Sequence, residues 1–112
     1  MAIKTSTVGE VVVVKAKGKL MGGKETEECH VKVKELIAQD YKKVVIDLSK
    51  VKWVNSRGLG MLIACFTSLR NVGGDLKIAG ATEKTNSLLM ITKLITVFEN
   101  FETIDEAVAS YK

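Results

Sequence analysis

The hydrophobic pattern along the chain alternates between two periods. Val11-Val-Val-Val-Lys-Ala-Lys17 is β-branched and then alternates apolar with polar. That spacing predicts a strand paired with Ile3 to Val8 across a turn at Gly9 and Glu10. Lys43-Val-Val-Ile-Asp-Leu48 and Leu76-Lys-Ile-Ala-Gly80 are short, nearly continuous apolar runs. Strands of this kind lie in a sheet covered on both faces, or in one whose second face meets a partner. Between the strands the period lengthens. Lys24 to Gln39 opens with Glu25, Glu27 and Glu28, which complement a helix dipole, and its core stripe is Cys29, Val33, Leu36 and Ile37. A second helix, Arg57 to Val72, carries Leu59, Leu62, Ile63, Phe66 and Leu69 and stops at Gly73-Gly74, a pair suited to a left-handed C-terminal cap. Thr82 caps a third helix, Glu83 to about Lys93, and Val97 to Phe101 is a short extended piece. Thr103-Ile-Asp-Glu106 fits a capping box, followed by Ile104, Ala107, Val108 and Tyr111 on one helical face.

Strands alternating with helices predict an α/β fold with a mixed sheet of four to five strands, about four helices and right-handed crossovers. No repeat, proline or linker-like stretch divides the 112 residues, so a single domain over 1–112 is expected. The longest apolar-dominated run, Leu59 to Phe66, falls well short of the roughly 20 residues of a membrane span. With no signal-like apolar segment at the N-terminus, no membrane insertion and a cytoplasmic location are expected. Cys29 and Cys65 lack the close pairing of a metal or redox motif and read as core or boundary thiols. The net charge of +4 is spread among acids and apolar residues, and aromatics are only 5%, which argues against a nucleic-acid partner.

Candidate chemistry concentrates in Trp53-Val-Asn-Ser-Arg-Gly-Leu-Gly60, where Ser56 stands between a strand-like run and a helix. Such a serine is first a candidate N-cap, accepting free backbone N–H groups and contributing about 1 kcal/mol. As a nucleophile it lacks a base. The single histidine, His30, lies in the first helix, and Asn55-Ser-Arg-Gly58 lacks the preceding glycine of a hydrolase elbow. Gly58-Leu-Gly60 is not followed by the third glycine of a dinucleotide fingerprint, so no cofactor and no enzymatic activity are expected. As a modified residue Ser56 is better placed. A phosphate adds about −1.5 to −2 charges, and the positive end of a helix dipole tolerates them, with Arg57 adjacent. Off the apolar stripe of the second helix, Gly60, Met61, Ala64, Thr67, Ser68 and Asn71 form a strip of small or mildly polar residues that either packs under neighbouring helices or faces a partner.

Val45-Ile-Asp-Leu-Ser49 followed by Val54-Asn-Ser-Arg-Gly-Leu-Gly60 resembles the signature of the STAS domains, and within them the bacterial anti-sigma-factor antagonists. Gly18-Lys-Leu20, Gly73-Gly74-Asp-Leu-Lys-Ile, Thr92 to Phe98 and Glu106-Ala-Val are similar to the family's other landmarks, so the resemblance extends over nearly the whole chain. It implies a STAS-type fold and a domain that binds an anti-sigma serine kinase of the GHKL type, which brings its own nucleotide. By position it also implies phosphorylation at Ser56 as the switch, and together with the small-residue strip it leads to expected partner contacts at Asn55, Ser56, Arg57, Gly58, Gly60, Met61, Ala64 and Met21. Asn55 stands where the pattern has aspartate, Arg57 where it has a small residue, and Met21 where it has an acid. The alternative implied by the same resemblance is a non-phosphorylated scaffold, or a subunit of a larger sensory or transport assembly.

Overall fold

In the computed structural model, which describes residues 3–111, the β-branched run opens a hairpin. Strand β1 (Ile3–Val8) pairs antiparallel with β2 (Val11–Leu20), and Val8 faces Val11 across Gly9 and Glu10 as the pattern predicts. Strands β3 (Lys43–Val54), β4 (Asp75–Ala79) and β5 (Glu99–Phe101) follow in parallel, giving a five-stranded mixed sheet in the order β1-β2-β3-β4-β5. The helices are α1 (Lys24–Ala38), α2 (Ser56–Asn71), α3 (Glu83–Ile91) and the short α4 (Ile104–Ala109).

The two-sided apolar runs have two cores to fill. On one face Val12, Val14 and Ala16 of β2, with Val44, Ile46, Leu48, Leu76 and Ile78, pack against α1, α2 and Leu89 of α3. Each such leucine or valine contributes roughly 1.5–3 kcal/mol on burial. On the other face Val11, Val13, Val45 and Ala79 meet Ala107 and Val108 of α4. This last helix is held by polar clasps. Thr103 is the expected cap, with the Glu106 N–H donating to Thr103 Oγ1 at 3.1 Å, but the Glu106 carboxylate accepts from the Thr103 hydroxyl at 3.0 Å rather than from its backbone N–H. The Tyr111 hydroxyl lies 2.8 Å from the carbonyls of both Val44 and Asp75. Lys77, buried at the sheet, donates to Ser110 Oγ at 2.7 Å, pairs with Glu99 at 3.1 Å and lies 4.2 Å from the Tyr111 ring centroid.

Three expectations need correction. β3 runs to Val54 rather than stopping at Leu48, because β2 continues to Leu20 and offers it a partner; of the added stretch Val51 is buried in the core and Val54 packs against it. Ile63 lies outside the core stripe and is exposed, since the buried line of α2 runs through Leu59, Leu62, Cys65 and Leu69. The final helix ends at Ala109, so Tyr111 reaches the sheet from beyond it. The left-handed stop of α2 is as expected: Gly73 has φ 82°, and the Gly74 N–H donates to Leu69 O at 2.7 Å.

Candidate partner-binding site

The chain turns helical at Ser56, and the residue before it does the capping. Asn55 is extended, with φ −123° and ψ −172°, and its Oδ1 accepts the N–H groups of Arg57 at 3.0 Å and Gly58 at 3.1 Å. Ser56 is therefore the first helical residue rather than the N-cap. The correction has a chemical reason, since a carboxamide offers an acceptor and a donor together. Asn55 Nδ2 donates to Met21 O at 3.2 Å, tying the helix start to the loop between β2 and α1. That loop is fixed again by the Gly22 N–H, which donates to Thr26 Oγ1 at 3.0 Å.

Two glycines let these segments meet. A Cβ on Gly58 would stand 1.9 Å from the carbonyl oxygen of Leu20, so only glycine lets α2 start against the end of β2. Gly22 has φ +92°, and a Cβ there would stand 2.5 Å from Arg57 Cδ; the aliphatic stem of Arg57 lies across the loop. Ser56, Arg57 and Met21 are all exposed at this corner, and Asn55 is half-buried beneath them.

Not every expected contact residue is accessible. Met61 is only 6% exposed and belongs to the main core, where the Cys65 thiol lies 3.7 Å from its sulfur. Gly58 is buried against Leu20, and Ala64 is half-buried. Of the proposed strip Gly60, Thr67 and Asn71 are exposed, while Met61 is buried and Ala64 and Ser68 are half-buried, so the small-residue line is in part packing. Burial pushes both thiols up to about 12, Cys29 by desolvation and Cys65 by desolvation and then by the neighbouring Cys29. Both read as inert core groups, as the sequence predicts. His30 is half-buried on α1.

The structure adds a second surface that periodicity did not reveal. Trp53 at the end of β3 is 48% exposed, and Lys84 of α3 stacks over its ring at 4.0 Å from the centroid. Together with Leu88 and Ile91 they line a cavity of about 330 Å³. Ile91 is 79% exposed and Met90 64% exposed, both on α3. The signal was present in the sequence as apolar residues on the polar side of a short helix, but without the third dimension they have no neighbours. Among the described residues no His, Cys, Asp and Glu cluster could hold a metal ion, and no helix is long and apolar enough to cross a membrane.

The family model of the STAS domain matches residues 2–107. The chain belongs to the STAS domain family. A protein of Thermotoga neapolitana named as an anti-sigma factor antagonist is 30% identical over 73 residues, which is 65% of this chain and 65% of the relative. The match thus spans about two thirds of that relative's length. Among solved structures, an anti-sigma factor antagonist of Thermotoga maritima superposes with a TM-score of 0.83 at 24% identity, covering 96% of this chain and 92% of that one. The Bacillus cell fate determinant SpoIIAA in its phosphorylated form gives a TM-score of 0.77 at 18% identity, covering 99% of this chain and 100% of that one. At these identities the structures establish that this STAS chain shares their fold.

Proposed function

We propose that this STAS domain is an anti-sigma-factor antagonist that captures an anti-sigma serine kinase of the GHKL type and is released when that kinase phosphorylates Ser56. The observation that carries this reading is the division of labour at the start of α2. Asn55 does the capping, so the Ser56 hydroxyl is exposed and makes none of the cap hydrogen bonds. With Arg57 N and Gly58 N already taken by Asn55, the helix start offers a phosphate its dipole but few free donors. The added dianion stays outward, at the exposed corner of Met21, Arg57 and Gly60, rather than folding into the domain. The relatives named as anti-sigma factor antagonists support the same assignment.

A dianion at the centre of a docked surface that meets a carboxylate or is desolvated weakens binding by several kcal/mol. The test is to incubate the chain with its cognate kinase and ATP, map the phosphosite by mass spectrometry, and measure kinase affinity for the wild type and for Ser56→Glu. One phosphate on Ser56, and an affinity at least 100-fold lower for Ser56→Glu, are expected. Phosphate elsewhere, or unchanged affinity, would refute the switch.

A further inference from the structure

The face of the sheet that carries α4 is only half covered. The helix lies over Val11, Val13 and Val45, and the alternation of β2 continues on that face with Lys15 and Lys17. The strand register then brings like charges together. Lys4 stands directly opposite Lys15 in the antiparallel β1–β2 pair, and Lys17 directly opposite Lys50 in the parallel β2–β3 pair. All four lysines line one concavity of about 250 Å³ with Ala16 and Asp47. A second concavity of about 520 Å³ shares Lys17 and Lys50 and adds Lys52, and the Glu25 carboxylate also lines it. Among the described residues none of these five lysines is in an ion pair. Asp47 is buried, and its Oδ1 accepts the Ser49 N–H at 3.0 Å.

Like charges directly opposite one another weaken a sheet, and elsewhere on this surface opposite signs are paired, as at Lys43–Glu10 and Lys32–Glu35. With Asp47 the one carboxylate among four lysines, the first concavity carries an excess of positive charge, and such an excess in a concave place is the arrangement that concentrates anions. Its composition decides which kind. Stable protein interfaces are depleted in lysine and centred on aromatics, arginine or methionine, and this basin has none of these. Lysine instead serves phosphate oxygens as a mobile point charge. We propose that the basin binds a small, multiply charged phosphate-class anion, on the side of the sheet away from α2 and Ser56, so that ligand and partner can be held together.

The experiment is calorimetric titration of the full chain with inorganic phosphate, pyrophosphate and triphosphate at two salt concentrations. Wild type is compared with Lys15→Gln/Lys17→Gln and with Lys34→Gln on α1 as the charge control. Expected are one-site binding that tightens with each added phosphate and weakens with salt, a loss of at least tenfold in the double variant, and wild-type affinity in Lys34→Gln. Removing opposed like charges leaves the melting temperature of the double variant equal to or above wild type, which separates lost binding from lost folding. Equal affinities in wild type and double variant, or equal losses in Lys34→Gln, overturn the site. Saturation only by phosphatidylglycerol vesicles, with no heat from triphosphate, assigns the lysines to a lipid surface and overturns it as well.

Discussion

Replacing Asn55 by aspartate or by alanine separates the two tasks of its side chain. Aspartate keeps the acceptor for Arg57 N and Gly58 N, now at 3.0 and 3.1 Å, and as an anion gains about 0.3–1 kcal/mol at the helix N-terminus. It cannot donate to Met21 O, now 3.2 Å away, and loses about 0.5–1.5 kcal/mol there while placing a carboxylate beside a carbonyl. The two nearly cancel, so Asn55→Asp should lie within about 1 kcal/mol of wild type. Alanine loses the cap, about 1 kcal/mol, and the tie, about another, for a total near 2 kcal/mol. At roughly 4 °C per kcal/mol for a domain of this size, the melting temperature should fall by about 8 °C for alanine and by less than about 4 °C for aspartate. Hydrogen exchange at Met21, Gly22 and Gly23 should quicken in both variants, because both lose the tie. Equal destabilisation by the two substitutions, or unchanged loop exchange in Asn55→Asp, would refute the two-task account.

The other expectations concern packing and pH. Gly58→Ala would put a methyl 1.9 Å from Leu20 O and 2.8 Å from its carbonyl carbon, both backbone atoms. It should cost about 1–3 kcal/mol or more in thermal melts, whereas Gly60→Ala, with nothing within 4 Å of its Cβ, should stabilise by about 0.5–1 kcal/mol. With thiol values raised from 9.0 in the unfolded chain to about 12 in the fold, the unfolded state loses these protons first as pH rises. Their contribution to stability is complete below pH 9 and declines from there toward about 12, which denaturant titrations at pH 8, 9 and 10 will follow. A thiol reagent at pH 8 should label Cys29 and Cys65 only at the rate of opening or unfolding.

The hairpin, the helices and the glycine stop of α2 were legible because each is a local property of period, propensity or capping. The second half of β3 was not. Ser49, Lys50 and Lys52 carry no apolar signal, and their strand geometry comes from β2, thirty residues earlier in the chain. The lysine basin was hidden because it needs both the hairpin register and the distant β2–β3 pairing. Along the chain Lys4, Lys15, Lys17 and Lys50 look evenly diluted among acids and apolar residues, and only the register stacks them.

At the helix start the sequence pattern pointed to Ser56 as the cap, and the structure gives that place to Asn55. Asparagine and serine are near-equal N-caps in isolation, so residue type could not choose between Asn55 and Ser56. Met21 favours asparagine, since its carbonyl accepts from Asn55 Nδ2 a hydrogen bond that a serine capping through its oxygen would not supply as readily. Once Asn55 takes both the cap and the tie, the serine that follows owes nothing to the fold. A hydroxyl with no structural duty, exposed beside a cation at the positive end of a helix, is free to change its charge without unfolding the domain that carries it.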